Sequence, residues 1–158
     1  MFKNVRLERP LVVLDLETTG TKVQTDRIVE ISLRKLLPDG TNQIKTRHLN
    51  PGISIPAEAT AIHGITDADV ANEYSIRQIA RSLATYLEGC DLCGYNIWIF
   101  DLRMLVNEFK RAEVPFSVEG RYIIDPCRNL PQARAPRPHG GTQVLLRDGT
   151  RGCPRGCG

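Results

Sequence analysis

Apolar positions follow a strand pattern in the first third of the chain and a helical one after it. Residues 11–16, LVVLDL, form a short β-rich run ending at Thr18, Thr19 and Gly20, which predicts a buried strand leaving into a turn. Asp26 to Leu37 carries Ile28, Val29 and Ile31 up to the turn signal Pro38-Asp39-Gly40, and Thr41 to Leu49 follows as the second arm of a hairpin. Three strands in meander order therefore come first. Between Asn50 and Asn72, Pro51, Gly52, Pro56 and Gly64 leave room only for short helical turns, one of them opened by Thr66 and Asp69 as a small capping box.

The clearest helical period spans Ser75 to Glu88, where Ile76, Ile79, Ala80, Leu83, Ala84 and Leu87 make one apolar stripe. Ser75 with Gln78 forms a capping box at its start, and Gly89 suits its stop. Asp91 to Tyr95 predicts a short strand. Asn96 then caps a helix over Ile97 to Ala112, with Phe100, Leu102, Leu105, Val106 and Phe109 on a broad face. Arg121 to Ile124 makes a last strand.

A length of 158 residues fits one domain with a core of its own, and 41% hydrophobic with 25% charged residues excludes wholesale disorder. No apolar run reaches the ~20 residues of a membrane helix. The opening MFKNVRLERP has no apolar h-region, and five cysteines are an odd number, so a cytoplasmic protein in a reducing compartment, with no membrane contact, is expected. The net charge of +3 is unevenly spread. Residues 1–128 carry 16 Lys and Arg against 17 Asp and Glu, while residues 129–158 carry five Arg and one acid. A nearly neutral body argues against a broad electrostatic footprint on nucleic acid, leaving a local basic patch or a bound metal to do that work.

Residues 129–158 also lack Phe, Trp, Tyr, Ile and Lys and hold six Gly and four Pro. The expected division is thus a folded domain over residues 1–128 and a tail that is disordered or out of frame, since a GC-rich gene read in the wrong frame gives this mixture.

Candidate chemistry begins with Asp15 and Glu17, two apart at the end of an apolar strand and so on one face. Two ionised carboxylates in a partly buried site repel and lose hydration, and a hard divalent cation compensates them well. Solvated acids beside a turn are the bland alternative. Asp101, in the first turn of the predicted last helix, reads equally as an acid that offsets the helix dipole.

Three runs together resemble the DEDD-type (DnaQ-like) 3′-to-5′ exonucleases, the family of the DNA polymerase III epsilon proofreading subunit and its stand-alone relatives. They are Leu14-Asp15-Leu16-Glu17-Thr18-Thr19-Gly20, Ile62-His63-Gly64-Ile65-Thr66, and Gly94-Tyr95-Asn96 through Phe100-Asp101. The resemblance covers about residues 9–128. It implies a ribonuclease H-like α/β fold: a mixed five-stranded sheet, its first three strands antiparallel, with helices on both faces and the C-terminal helices missing or altered here. It also implies hydrolysis of the terminal phosphodiester of DNA with two Mg²⁺ or Mn²⁺ ions. By position, Asp15, Glu17 and Asp101 would be the catalytic metal ligands. Thr18 and Thr19 would approach the terminal nucleotide, His63 would line its pocket between Ile62 and Ile65, and Asn96 and Phe100 would lie along the strand. The implied partners are a single-stranded or frayed 3′ end, RNA being left open, and a DNA polymerase subunit.

The family's third motif, a late-helix histidine followed five positions on by an aspartate, has no match. His139 stands in Pro138-His139-Gly140-Gly141, and Asp148 follows nine positions later in a Gly-rich stretch. Impaired activity is therefore expected, and a catalytically inactive nucleic-acid-binding fragment is the alternative. Cys90-x-x-Cys93 with Cys153 and Cys157 could bind zinc, although the first pair flanks a predicted core strand.

Overall fold

The computed structural model describes residues 7–128 and the backbone of residues 130 and 131. Its strands are β1 (Leu11–Thr18), β2 (Ile28–Leu36), β3 (Asn42–His48), β4 (Asp91–Cys93), β5 (Ile123–Asp125) and β6 (Leu130–Pro131). They form one mixed sheet in the order β3-β2-β1-β4-β5-β6. The first three pair antiparallel, β4 joins β1 and β5 joins β4 in parallel, and β6 closes the edge antiparallel to β5. Five of these strands are those expected. The sixth lies just past the compositional boundary, and Pro131, lacking an N–H, suits an edge.

Four helices are described: α1 (Ala57–His63), α2 (Asp67–Val70), α3 (Ile76–Leu87) and α4 (Asp101–Arg111). Strand periodicity turns Val12, Leu14 and Leu16 to one sheet face, where they meet Ile31, Leu33, Leu92 and Ile123 from the neighbouring strands. The apolar stripe of α3 (Ile76, Ala80, Leu83, Leu87) and that of α4 (Leu102, Leu105, Phe109) complete this core. Full burial of each such side chain stabilises by about 1.5–3 kcal/mol, so the core fixes how α4 sits on β1. A smaller cluster of Val29, Ile55, Ala59, Ile65 and Val70 anchors α1 and α2 at the start of β2.

The opposite sheet face carries Val13, Ser32, Arg34, Ile44, Thr46, Cys93 and Ile124, none of them buried. The expectation that the C-terminal helices are missing or altered, and all but the first residues of the predicted tail, fall outside the described residues.

Strands β2, β4 and β5 differ from their predicted bounds by one or two residues, and the largest departure is in the last helix. The last helix begins at Asp101, not Ile97, because residues 95–100 run through turns and Asn96 has φ of 54°. That left-handed conformation is incompatible with the extended backbone of an N-cap. The helix face is also rotated from the expected one: Val106 is 39% exposed, while Met104 and Glu108 are fully buried.

Candidate active site

The site forms where β1 outruns its parallel neighbour. β4 pairs with β1 only from Leu11 to Val13 and ends at Cys93. Gly94 then passes so close to β1 that a Cβ there would lie 2.8 Å from the Leu14 carbonyl oxygen. Beyond this point the Asp101 carboxylate is buried beside β1, where the backbone N–H groups of Leu16 and of Asp101 itself pull its pKa down. Leu16 separates Asp15 from Glu17, so the first turn of α4 is docked between the two acids in sequence. A register shift between Glu17 and Thr18 marks a β-bulge there, a common device for re-aiming side chains beside functional sites.

The electrostatics record the crowding. Burial chiefly, then the charges of Asp15 and Asp125, push the Asp101 carboxyl up from 3.8 to about 6, against the lowering pull of the backbone N–H groups of Asp101 and Leu16. Burial also raises Glu17, helped by Asp15 and Glu30 and opposed by His63. Glu30, opposite Glu17 in the ladder, is itself paired with His48 at 2.8 Å. No Lys or Arg forms an ion pair with Asp15, Glu17 or Asp101 among the described residues. Their oxygen donors suit a hard divalent cation chemically. Geometrically, no three His, Cys, Asp or Glu side chains are grouped to hold a metal ion among the described residues.

The remaining predicted residues fall into two sets. The Thr18 hydroxyl donates to Gly20 O at 2.8 Å. Thr19 is buried, its hydroxyl accepting from Arg27 N–H at 3.0 Å and donating to Asp26 Oδ1 at 3.3 Å. Both hydroxyls thus shape the turn after β1. His63 ends α1, and its Nδ1 accepts from Ile65 N–H at 3.1 Å, which leaves the proton on Nε2, buried and without a hydrogen-bond partner. The effect of His63 on Glu17 places it within the same field. Ile65 is built into the smaller core, whereas Ile62 is 84% exposed. Asn96 N–H donates to Asp125 Oδ1 at 3.1 Å, and Phe100 is half-buried against the main core.

Two groups escaped the sequence reading. Asp125, buried at the end of β5, accepts from the N–H groups of Asn96 and Cys127 and adds to the field on Asp101. Its signal was present: Ile123-Ile124-Asp125 is another apolar strand ending in an acid. Glu108 is fully buried on α4 and binds Arg27 through both carboxylate oxygens at 2.7 and 3.2 Å. Its signal was an acid between Leu105 and Phe109 on an apolar face. Cys90 is buried beside the backbone of Tyr86 and Glu88, as a small core residue would be, and Cys93 and Cys127 are free and half-buried. Cys153 and Cys157 lie outside the described residues.

A partly parallel sheet with a carboxylate-lined notch at the end of its first strand defines a ribonuclease H-like α/β domain. The RNase_T family model, described as Exonuclease, matches residues 12–146, and the chain therefore belongs to this exonuclease family. It is 37% identical over 97 residues to a DNA polymerase III subunit epsilon-like protein of Rhodobacter capsulatus, covering 60% of this chain and 14% of that protein. It is 30% identical over 102 residues to the 3′-5′ exonuclease DinG of Bacillus subtilis, covering 64% of this chain and 11% of that protein. The chain thus spans a small part of either relative. Apo exonuclease I superposes with a TM-score of 0.70 at 19% identity, over 78% of this chain and 30% of that one. E. coli exonuclease I in complex with a dT13 oligonucleotide gives 0.61 at 20%, over 68% and 25%. At such identities these structures speak for the fold alone. No described helix is long and apolar enough to cross a membrane.

Proposed function

We propose that this domain hydrolyses the terminal phosphodiester at a DNA 3′ end, with Asp15, Glu17 and Asp101 holding two Mg²⁺ or Mn²⁺ ions, and does so slowly. The observation that carries the reading is the burial of Asp101, at the first residue of α4, within the field of Asp15. Asp15 acts on both Glu17, two residues on, and Asp101 from the far half of the domain; the last two carry raised pKa values that a cation would reverse, and ion binding would have to draw together three carboxylates that are not grouped around one point in this structure. When bound, a pair of divalent ions supplies charge stabilisation for the attacking and leaving oxygens of phosphoryl transfer. The chain's own contribution is orientation. Asp101 is set by its burial at the start of α4, Glu17 by the bulge, and the turn at Thr18 and Thr19 by its hydroxyl bonds.

His63 contributes through its field on Glu17, its Nε2–H being buried in this structure. No histidine is matched to the family's water-activating position, and loss of a general base costs ~10²- to 10⁴-fold in rate, so slow turnover follows. Association with a DNA polymerase is part of the proposal by relationship to the epsilon-like protein of R. capsulatus.

A 5′-labelled single-stranded oligonucleotide incubated with Mn²⁺ tests this. Stepwise shortening from the 3′ end that stops with chelator and vanishes in Asp15→Ala supports the proposal. Unchanged length at high enzyme concentration would reduce the domain to an inactive nucleic-acid-binding relative.

A further inference from the structure

We infer that Glu108 is a positioning residue for the terminal-nucleotide turn, acting through Arg27, an inference that rests on the exonuclease reading above. Glu108 lies seven residues after Asp101, hence two turns along the same face of α4. Its fully buried carboxylate receives Arg27 Nε at 2.7 Å, Arg27 Nη2 at 3.2 Å and Arg111 Nη1 at 3.1 Å. Arg27 in turn holds Thr19 from both sides: its carbonyl accepts Thr19 N–H at 2.9 Å, and its N–H donates to the Thr19 hydroxyl at 3.0 Å. The path from the acid of α4 to the residue two positions after Glu17 is therefore one side chain long.

The rest of the loop between β1 and β2 is tied to the same two turns of helix. Arg111 donates to the carbonyls of Asp26, at 3.2 Å, and of Gln24, while the Asn107 amide donates to Val23 O at 2.9 Å. α4 thus presents Asp101 at one end and grips the nucleotide-facing turn from the other. A bidentate arginine to carboxylate contact fixes orientation as well as distance, which an apolar contact at this position would not. A pair needed only for stability would be expected to tolerate apolar replacement without functional effect.

The test is the paired variant Arg27→Met with Glu108→Leu in the full chain, which removes the buried carboxylate together with its bidentate partner, while Arg111 keeps its bonds to the Asp26 and Gln24 carbonyls. Asp15→Ala runs beside it. Melting temperature, Mn²⁺ affinity, affinity for thymidine 5′-monophosphate in Mn²⁺, and amide exchange at Thr19 are measured. The expected result is a folded protein with Mn²⁺ affinity close to the parent's, nucleotide affinity lower by about tenfold, and faster Thr19 exchange. Arg27→Lys, which keeps the charge but not the fork, should fall between. Parental nucleotide affinity in a folded paired variant, with Mn²⁺ uptake lost in Asp15→Ala, overturns the positioning role and spares the exonuclease reading. Unchanged Mn²⁺ uptake in Asp15→Ala, or none in the parent, overturns that reading and this inference with it.

Discussion

Asp101 is held in a position that costs stability unless something positive arrives. Its folded-state pKa of about 6 lies above the ordinary 3.8, so the neutral carboxyl stabilises the fold fully below pH ~4, and that contribution is lost as pH rises through 6. Asp101→Asn, nearly the same size and uncharged, should therefore raise stability by about 1–3 kcal/mol at pH 7.5 in chelator and change nothing at pH 3.5. Denaturant midpoints at the two pH values check this, and Mn²⁺ should stabilise the parent more than the variant. At Gly94 the contact is with backbone, which cannot swing away, so Gly94→Ala should cost about 1–3 kcal/mol by the same assay. Asp15 and Glu17 stand out because they interrupt an apolar pattern at the end of a strand, whereas Asp101 joins them in the sequence only through the family resemblance. Glu108 interrupts one too, but its partner Arg27 lies 81 residues away and no local period connects them.

Elements bounded by local chemistry were read to within about a residue. α3 is flanked by the expected box, in which the Gln78 carboxamide accepts from Ser75 N–H at 2.8 Å and from its hydroxyl at 3.0 Å. Gln78→Ala should lower stability by about 0.5–1 kcal/mol, with exchange rising first at the helix's N-terminal amides. The hairpin of β2 and β3 and the box at α2 were equally local. The start of α4 was not. Asn96 is steered into its left-handed turn with Asp125 holding its N–H from 29 residues downstream, so the four residues read as a first helical turn are spent on reaching the site. The sixth strand is two residues long and leaves no periodic trace.

At the scale of the molecule, the sheet is covered by helices on one side among the described residues and carries Val13, Cys93, Ile44 at 61% exposure and Ile124 at 37% on the other. Apolar surface of this kind promotes self-association. Sedimentation should show concentration-dependent species, and Ile44→Lys with Ile124→Lys should suppress them while leaving the melting temperature nearly unchanged. The meander of β1 to β3 is complete by residue 48, whereas its parallel neighbours arrive only after residue 90. On a translating ribosome, the hairpins would emerge with Asp15 and Glu17 still far from their third carboxylate, and the electrostatic cost of bringing the acids together would fall due some fifty residues of synthesis later. Stalled nascent chains should accordingly gain protected β2 amides well before any sensitivity to divalent ions.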